Sequence, residues 1–168
     1  KVAEYVTEKA LPWMHPGRTA SVLVNGESIG YLGEVHPAVL KNYGIGTRAY
    51  LAVLDMEKVI ANANRDVVYQ ALPKFPALTR DIAMLVKEDV TVKEIADIIK
   101  KNGGAYLEEA KLFDVYQGAQ IEAGYKSVAY SITFRSAEKT LADADIADAM
   151  DKILKGLAEE LGAQLRDK

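Results

Sequence analysis

Between residues 127 and 134 the chain reads Ser-Val-Ala-Tyr-Ser-Ile-Thr-Phe: Val128, Tyr130, Ile132 and Phe134 are large and apolar, and Ser127, Ala129, Ser131 and Thr133 are small. A period of two is the mark of a strand whose faces meet different surroundings. The segment therefore predicts one greasy face turned to a core and one small, polar face turned elsewhere. Just upstream, residues 112–118 read Leu-Phe-Asp-Val-Tyr-Gln-Gly, and Gly118 and Gly124 bracket a connection suited to an antiparallel return. Here Phe113 and Val115 share one side, and Leu112, Asp114 and Tyr116 the other. With Phe113 and Val115 in the core, a tyrosine and a carboxylate stand on an open face floored by small residues. That arrangement suits stacking and hydrogen bonding with a flat polar ligand such as a base.

The neighbouring patterns predict how the sheet is completed. Residues 80–86 read as a strand with Ile82, Met84 and Val86 on one face and Asp81, Ala83 and Leu85 on the other. Thr91 with Glu94 is a capping-box signature, and Val92, Ile95, Ile98 and Ile99 form a helical stripe ending at Asn102-Gly103-Gly104. Thr140 and Asp143 offer start signals for a second helix with Ile146, Met150, Ile153, Leu154, Leu157 and Leu161 on one side, stopped by Gly162. Residues 164–166 suit a last edge strand. The order strand, helix, strand, strand, helix, strand predicts an α+β, ferredoxin-like domain: an antiparallel sheet with both helices on one face. The opposite face is left for function.

The first half reads differently. Residues 21–24 and 28–35 predict a hairpin about Asn25-Gly26, His36-Pro37 opens a short helix to Asn42, residues 50–54 form a third strand, and Asp55 caps a helix through Ala61. Val2, Tyr5 and Val6 have helix-like spacing at the start. Three strands are too few to close a sheet, so this half is expected to be the end of a larger α+β module, and the chain a piece of a longer protein. A polar patch, a brief strand at 67–72 and the extended Pro73-Lys74-Phe75-Pro76 follow. The expected domains are thus 1–66 and 74–168, with 67–73 as linker.

Composition narrows the function. The chain has 168 residues, no cysteine and a net charge of −3, with seven basic and seven acidic side chains in residues 1–72 and fourteen and seventeen in residues 73–168. That balance argues against DNA or any generic, backbone-driven nucleic-acid binding, which needs a basic footprint, so an RNA contact has to be local and base-directed. Absent cysteine and apolar runs too short for a membrane lead us to expect a cytoplasmic protein. His15 and His36 stand alone as histidines and read as structural, so no metal site is expected. Gly44-Ile45-Gly46-Thr47-Arg48 lacks the spacing of a phosphate loop and reads as a turn. With no nucleophile beside a base, the chain itself is expected to be non-catalytic and to need no cofactor. On the residues alone, Tyr116 also reads as an amphipathic surface tyrosine and Asp114 as an ion-pair partner of Lys126 or Arg135.

Pro73-Lys74-Phe75-Pro76 with Arg80-Asp81-Ile82-Ala83, Leu112 to Gly118, Gly124 with Lys126-Ser127, Ala129-Tyr130-Ser131, and Thr140-Leu141 with Asp143 resemble the C-terminal anticodon-binding domain of bacterial phenylalanyl-tRNA synthetase beta subunits. His15-Pro16-Gly17-Arg18 with Ala20, Ile29-Gly30, Leu32-Gly33-Glu34 and His36-Pro37 resemble the part of that subunit immediately upstream. The resemblance covers nearly the whole chain in the family's order. It implies that residues 1–66 end a synthetase-like module that has lost catalysis and serves as scaffold beside a catalytic alpha subunit. The last domain would grip the anticodon of phenylalanine tRNA, within a parent enzyme using ATP and magnesium. By the same resemblance Tyr116 would stack on the first anticodon base, Asp114 would hydrogen-bond it, and Ala83 would leave it room. Lys126, Arg135 and Arg80 are candidate phosphate contacts. A rival of another class is a ferredoxin-like regulatory module binding a small molecule or dimerising through edge strands; it would place its ligand at a strand–helix junction or subunit interface. A phosphatase of the same fold would need an anion cradle at the first strand–helix turn, where residues 86–92 offer only Lys87 and two acids.

Overall fold

The computed structural model describes residues 3–64, 66, 68–69, 71–118 and 120–166. The chain divides into two compact units, Lys1–Gln70 and Ala71–Lys168.

In the first unit, β1 (Glu4–Thr7), β2 (Met14–Val24), β3 (Glu27–Val35) and β4 (Tyr50–Leu54) form one antiparallel sheet in chain order, with α1 (Pro37–Asn42) between β3 and β4 and α2 (Met56–Asn62) after β4. Asn25 and Gly26 adopt φ of 52° and 79° and form the two-residue hairpin turn that pairs Val24 with Glu27. Both histidines are local backbone caps: Nδ1 of His15 accepts the Gly17 N–H at 3.1 Å and Nδ1 of His36 accepts the Ala38 N–H at 3.1 Å. Buried Glu34 is held by Arg18 at 2.9 Å.

Two expectations for this unit need correction. Tyr5 and Val6 lie in strand β1, so the sheet has four strands rather than three. An apolar spacing that fits a helical turn also fits a short strand, and the aromatic and β-branched run Tyr-Val-Thr favours the strand once the edge of β2 is available. Val2 lies outside the described residues. Of the brief strand expected at 67–72, Val67 and Gln70 lie outside the described residues, and Val68, Tyr69, Ala71 and Leu72 form no strand.

The second unit contains β5 (Leu78–Lys87), α3 (Val92–Asn102), β6 (Leu107–Tyr116), β7 (Tyr125–Phe134), α4 (Asp143–Leu161) and β8 (Gln164–Leu165). Its strands lie in the order β6-β7-β5-β8 and every pairing is antiparallel. This is the expected ferredoxin-like order. Ile82, Met84 and Val86 of β5, Val128, Tyr130, Ile132 and Phe134 of β7, Ile95, Ile98 and Ile99 of α3, and Ile146, Ile153 and Leu157 of α4 share one buried cluster. Each such side chain contributes about 1.5–3 kcal/mol on burial. The Tyr130 hydroxyl donates to the Val92 carbonyl at 2.8 Å, and burial, then Asp97, push its pKa up to about 12.

Helix boundaries follow local chemistry. The Thr91 hydroxyl accepts the Glu94 N–H, and a Glu94 carboxylate oxygen accepts the Thr91 N–H at 2.7 Å. The second helix begins at Asp143, the later of its two start signals: Ala142 is its N-cap, two residues after Thr140, and Asp145 reaches back to the Ala142 N–H at 2.8 Å. Gly162, in the left-handed region at φ 63°, ends it.

Strand β6 departs from a simple alternation. Leu112 opposes Tyr130, but Asp114 opposes Ala129, so Phe113 is an extra residue in the strand. The insertion reverses the parity of what precedes it. Leu112 packs against the core rather than sharing the open side with Asp114. Val115 opposes core-facing Val128, yet Phe113 and Val115 remain 55% and 46% exposed at the end of this edge strand, where they were expected to be buried.

Candidate functional site

The sheet face opposite α3 and α4 is built from cross-strand rows. Asp114 on β6 opposes Ala129 on β7, which opposes Ala83 on β5. In the next row Tyr116 opposes Ser127, which opposes Leu85, which opposes Gln164 of β8. Since Val128 and Tyr130 point to the core, Ser127 and Ala129 must point away from it. Asp114, Ala129 and Ala83 are therefore one row on the open face, with Tyr116 in the row beside it.

The chemistry of the rows is complementary. Ala129 and Ala83 offer no atoms beyond Cβ, and Ala129 is low between the taller side chains, only 8% exposed. Asp114 is exposed, and no ion pair or side-chain hydrogen bond holds it among the described residues. A carboxylate offers acceptors only, so its complement is a group that presents N–H donors. Tyr116 is 42% exposed, and its ring folds back over Gly118, where an added methyl would lie 2.3 Å from Oη. In the sequence Gly118 marks only the start of a loop, and nothing there announces its role as a seat for the ring. Ala119, in that loop, lies outside the described residues.

The three candidate phosphate contacts are placed elsewhere. Arg80 opposes core-facing Ile132, and its guanidinium bonds to Asp143 in the first turn of α4. Lys126 opposes core-facing Val86, and its ammonium reaches the Glu88 carbonyl at 2.9 Å. Lys126 also stands near Glu94, whose pKa is held below its ordinary value, first by the Thr91 N–H and then by the Thr91 hydroxyl, with a smaller pull from Lys126. Both cations are thus on the helix side, contrary to their expected place near the open face. Arg135 directly follows β7, eight residues from Ser127, about 27 Å at 3.4 Å per residue. It is committed to Glu108 at 2.9 Å and the Phe75 carbonyl at 2.8 Å. The cation that does reach the row of Tyr116 is Arg166, whose Nη1 is 3.4 Å from Ser127 Oγ. The sequence reading placed it on an edge strand without assigning it a role.

Residues 73–166, which contain this face and all four strands beneath it, match the family described as the ferredoxin-fold anticodon binding domain. The chain belongs to the ferredoxin-fold anticodon-binding family. Residues 1–56 match the phenylalanyl tRNA synthetase beta chain CLM domain. Among individual relatives, the phenylalanine–tRNA ligase beta subunit of Clostridium tetani is 50% identical over 98% of this chain and 21% of its own length. Those of Clostridium acetobutylicum and Lactiplantibacillus plantarum are 46% and 44% identical, each over 96% of this chain and 20% of the relative. The chain therefore spans about a fifth of the length of these curated relatives.

The first unit holds a separate cavity of about 530 Å³, lined by residues that include His15, Arg18, Glu34, Lys41 and the 44–48 turn. Its buried carboxylate is already paired with Arg18. Among the described residues no three His, Asp or Glu side chains come together as a metal site, and no helix is long and apolar enough to cross a membrane.

Proposed function

We propose that this chain is the non-catalytic C-terminal part of a phenylalanyl-tRNA synthetase beta subunit and that its second unit reads the anticodon of phenylalanine tRNA. The observation that carries the reading is the pairing of an exposed ring, Tyr116, with a carboxylate, Asp114, that no described residue holds, beside Ala129 and Ala83 on the face opposite α3 and α4. In this reading Tyr116 stacks on the first anticodon base, Asp114 accepts hydrogen bonds from its edge, and Ala83 leaves room for it. Stacking and edge recognition are local interactions, which agrees with a chain of net charge −3.

The first unit acts as scaffold for the catalytic alpha subunit, and the complete enzyme works in the cytoplasm. In this reading ATP and magnesium serve the parent enzyme. The contribution to aminoacylation is selection of the tRNA. Tyr116→Ala in the complete enzyme then impairs tRNA use while amino-acid activation stays intact. An equal loss in both steps would assign Tyr116 to stability or assembly and overturn the reading.

A further inference from the structure

The open face carries a cation that the proposed base contact leaves unused. Arg166 follows β8, and its backbone N–H bonds to the Ala83 carbonyl at 2.9 Å, extending the β5–β8 pairing by one residue. That register sets its side chain on the same face as Ala83, and the side chain then reaches across β5 to Ser127 Oγ at 3.4 Å. Ser127 is the cross-strand partner of Tyr116. The guanidinium thus stands about one strand spacing, roughly 5 Å, from the strand that bears the ring. Its partner is a neutral hydroxyl at long range, and no carboxylate holds it among the described residues, so most of its five donors are free. Lys111, the cation opposite Ser131, lies four residues farther along β7, about 14 Å from the Tyr116 row.

We propose that Arg166 binds the backbone phosphate of the nucleotide whose base stacks on Tyr116. The face then holds one nucleotide at two points, the ring taking the base and the guanidinium the phosphate, with Ala83 and Ser127 between them. The inference rests on the anticodon reading above and adds a contact that is indifferent to base identity. Lys87, opposite Tyr125, is a second cation on this face, about 7 Å along the strands from the Tyr116 row. Arg166, which reaches Ser127 itself, fixes position while Asp114 and Tyr116 supply selectivity.

The test is a titration of the full 168-residue chain with a fluorescent anticodon stem-loop of phenylalanine tRNA, and with one altered at the first anticodon base, between 50 and 200 mM salt. A single-strand phosphate contact contributes about 0.7 to the slope of log affinity against log salt. Arg166→Gln should therefore lower the slope by about 0.7, so that its affinity falls about threefold less than the wild type's across that range. The preference for the unaltered base should survive, and Arg166→Lys should keep the wild-type slope. Thermal unfolding of both variants, expected to match the wild type at this exposed position, controls for folding. An unchanged slope in Arg166→Gln, or a loss confined to base preference, overturns the phosphate contact. If Tyr116→Ala still weakens binding in that case, the anticodon reading stands without it. A wild-type chain that binds neither stem-loop overturns both.

Discussion

Gly118→Ala should separate binding from stability. A methyl group at Gly118 would stand 2.3 Å from Tyr116 Oη, 2.6 Å from Cζ and 3.2 Å from Cε1. Favourable contact begins at about 3.5 Å, so the hydroxyl end of the ring has to withdraw by roughly 1 Å. Gly118 is not among the residues with positive φ, so alanine imposes no backbone strain, and restricting the unfolded chain stabilises by about 0.4–1 kcal/mol. The ring, however, leaves the position from which it meets a base. Base stacking on an aromatic side chain is worth about 1–3 kcal/mol, which at 1.4 kcal/mol per decade is about a 5- to 140-fold change in Kd. That range is the ceiling, reached by Tyr116→Ala; Gly118→Ala should lose part of it while its Tm stays level or rises. The assay is stem-loop titration alongside thermal unfolding, repeated in a Tyr116→Ala background, where the second substitution should have no further effect on affinity. Wild-type affinity in Gly118→Ala, or an equal loss with and without Tyr116, would refute the seating of the ring.

Other outcomes follow from the same geometry. Arg80→Met and Lys126→Met should leave RNA affinity and its salt slope unchanged, because both cations lie on the helix side; a slope reduced by either in a salt titration would return it to the RNA contacts. Phe134→Ala, at a fully buried position of the central strand β7, should cost about 3–5 kcal/mol in denaturant unfolding of the second unit, and a loss under 1 kcal/mol would contradict the packing. Gly33→Ala should disrupt the β2–β3 pairing, since a Cβ there would lie 2.4 Å from the Arg18 carbonyl and 2.7 Å from Thr19 Cα, both backbone atoms; hydrogen exchange in the hairpin reports it. The folded state holds Glu94 and Asp145 below their ordinary values of 4.5 and 3.8, chiefly through the Thr91 and Ala142 N–H groups. The unfolded chain therefore binds more protons in acid, so this stabilisation is full above pH 4.5 and is lost as pH falls through the lower folded values. Glu94→Gln should flatten that acid limb in Tm measured against pH, and an unchanged limb would contradict the assignment.

The two faces of β5 and β7 were legible in the sequence because every residue from 127 to 134 obeys the same parity, and buried Val128, Tyr130, Ile132 and Phe134 follow it. The same parity pairs Lys126 with Val128 and Arg80 with Ile82, and so assigns both cations to the helix side. The error at Leu112 has a different origin. An extra residue in a strand leaves no mark in the alternation, and only the pairing with β7 reveals that Phe113 interrupts it. The start of β6 at Leu107 was missed because a second irregularity, between Leu107 and Glu109, breaks the pattern there. Arg166 was invisible for a third reason. Its place beside Ala83 depends on a pairing between residues more than eighty positions apart, which local sequence does not encode.

The most direct test of the central claim is the affinity of this chain for the anticodon stem-loop of phenylalanine tRNA, compared with a stem-loop altered only at the first anticodon base and with Tyr116→Ala. The account predicts that either change weakens binding, and that the two together weaken it little more than one alone, because ring and base form one contact. Affinity indifferent to both the base and the ring would contradict anticodon reading by the open face.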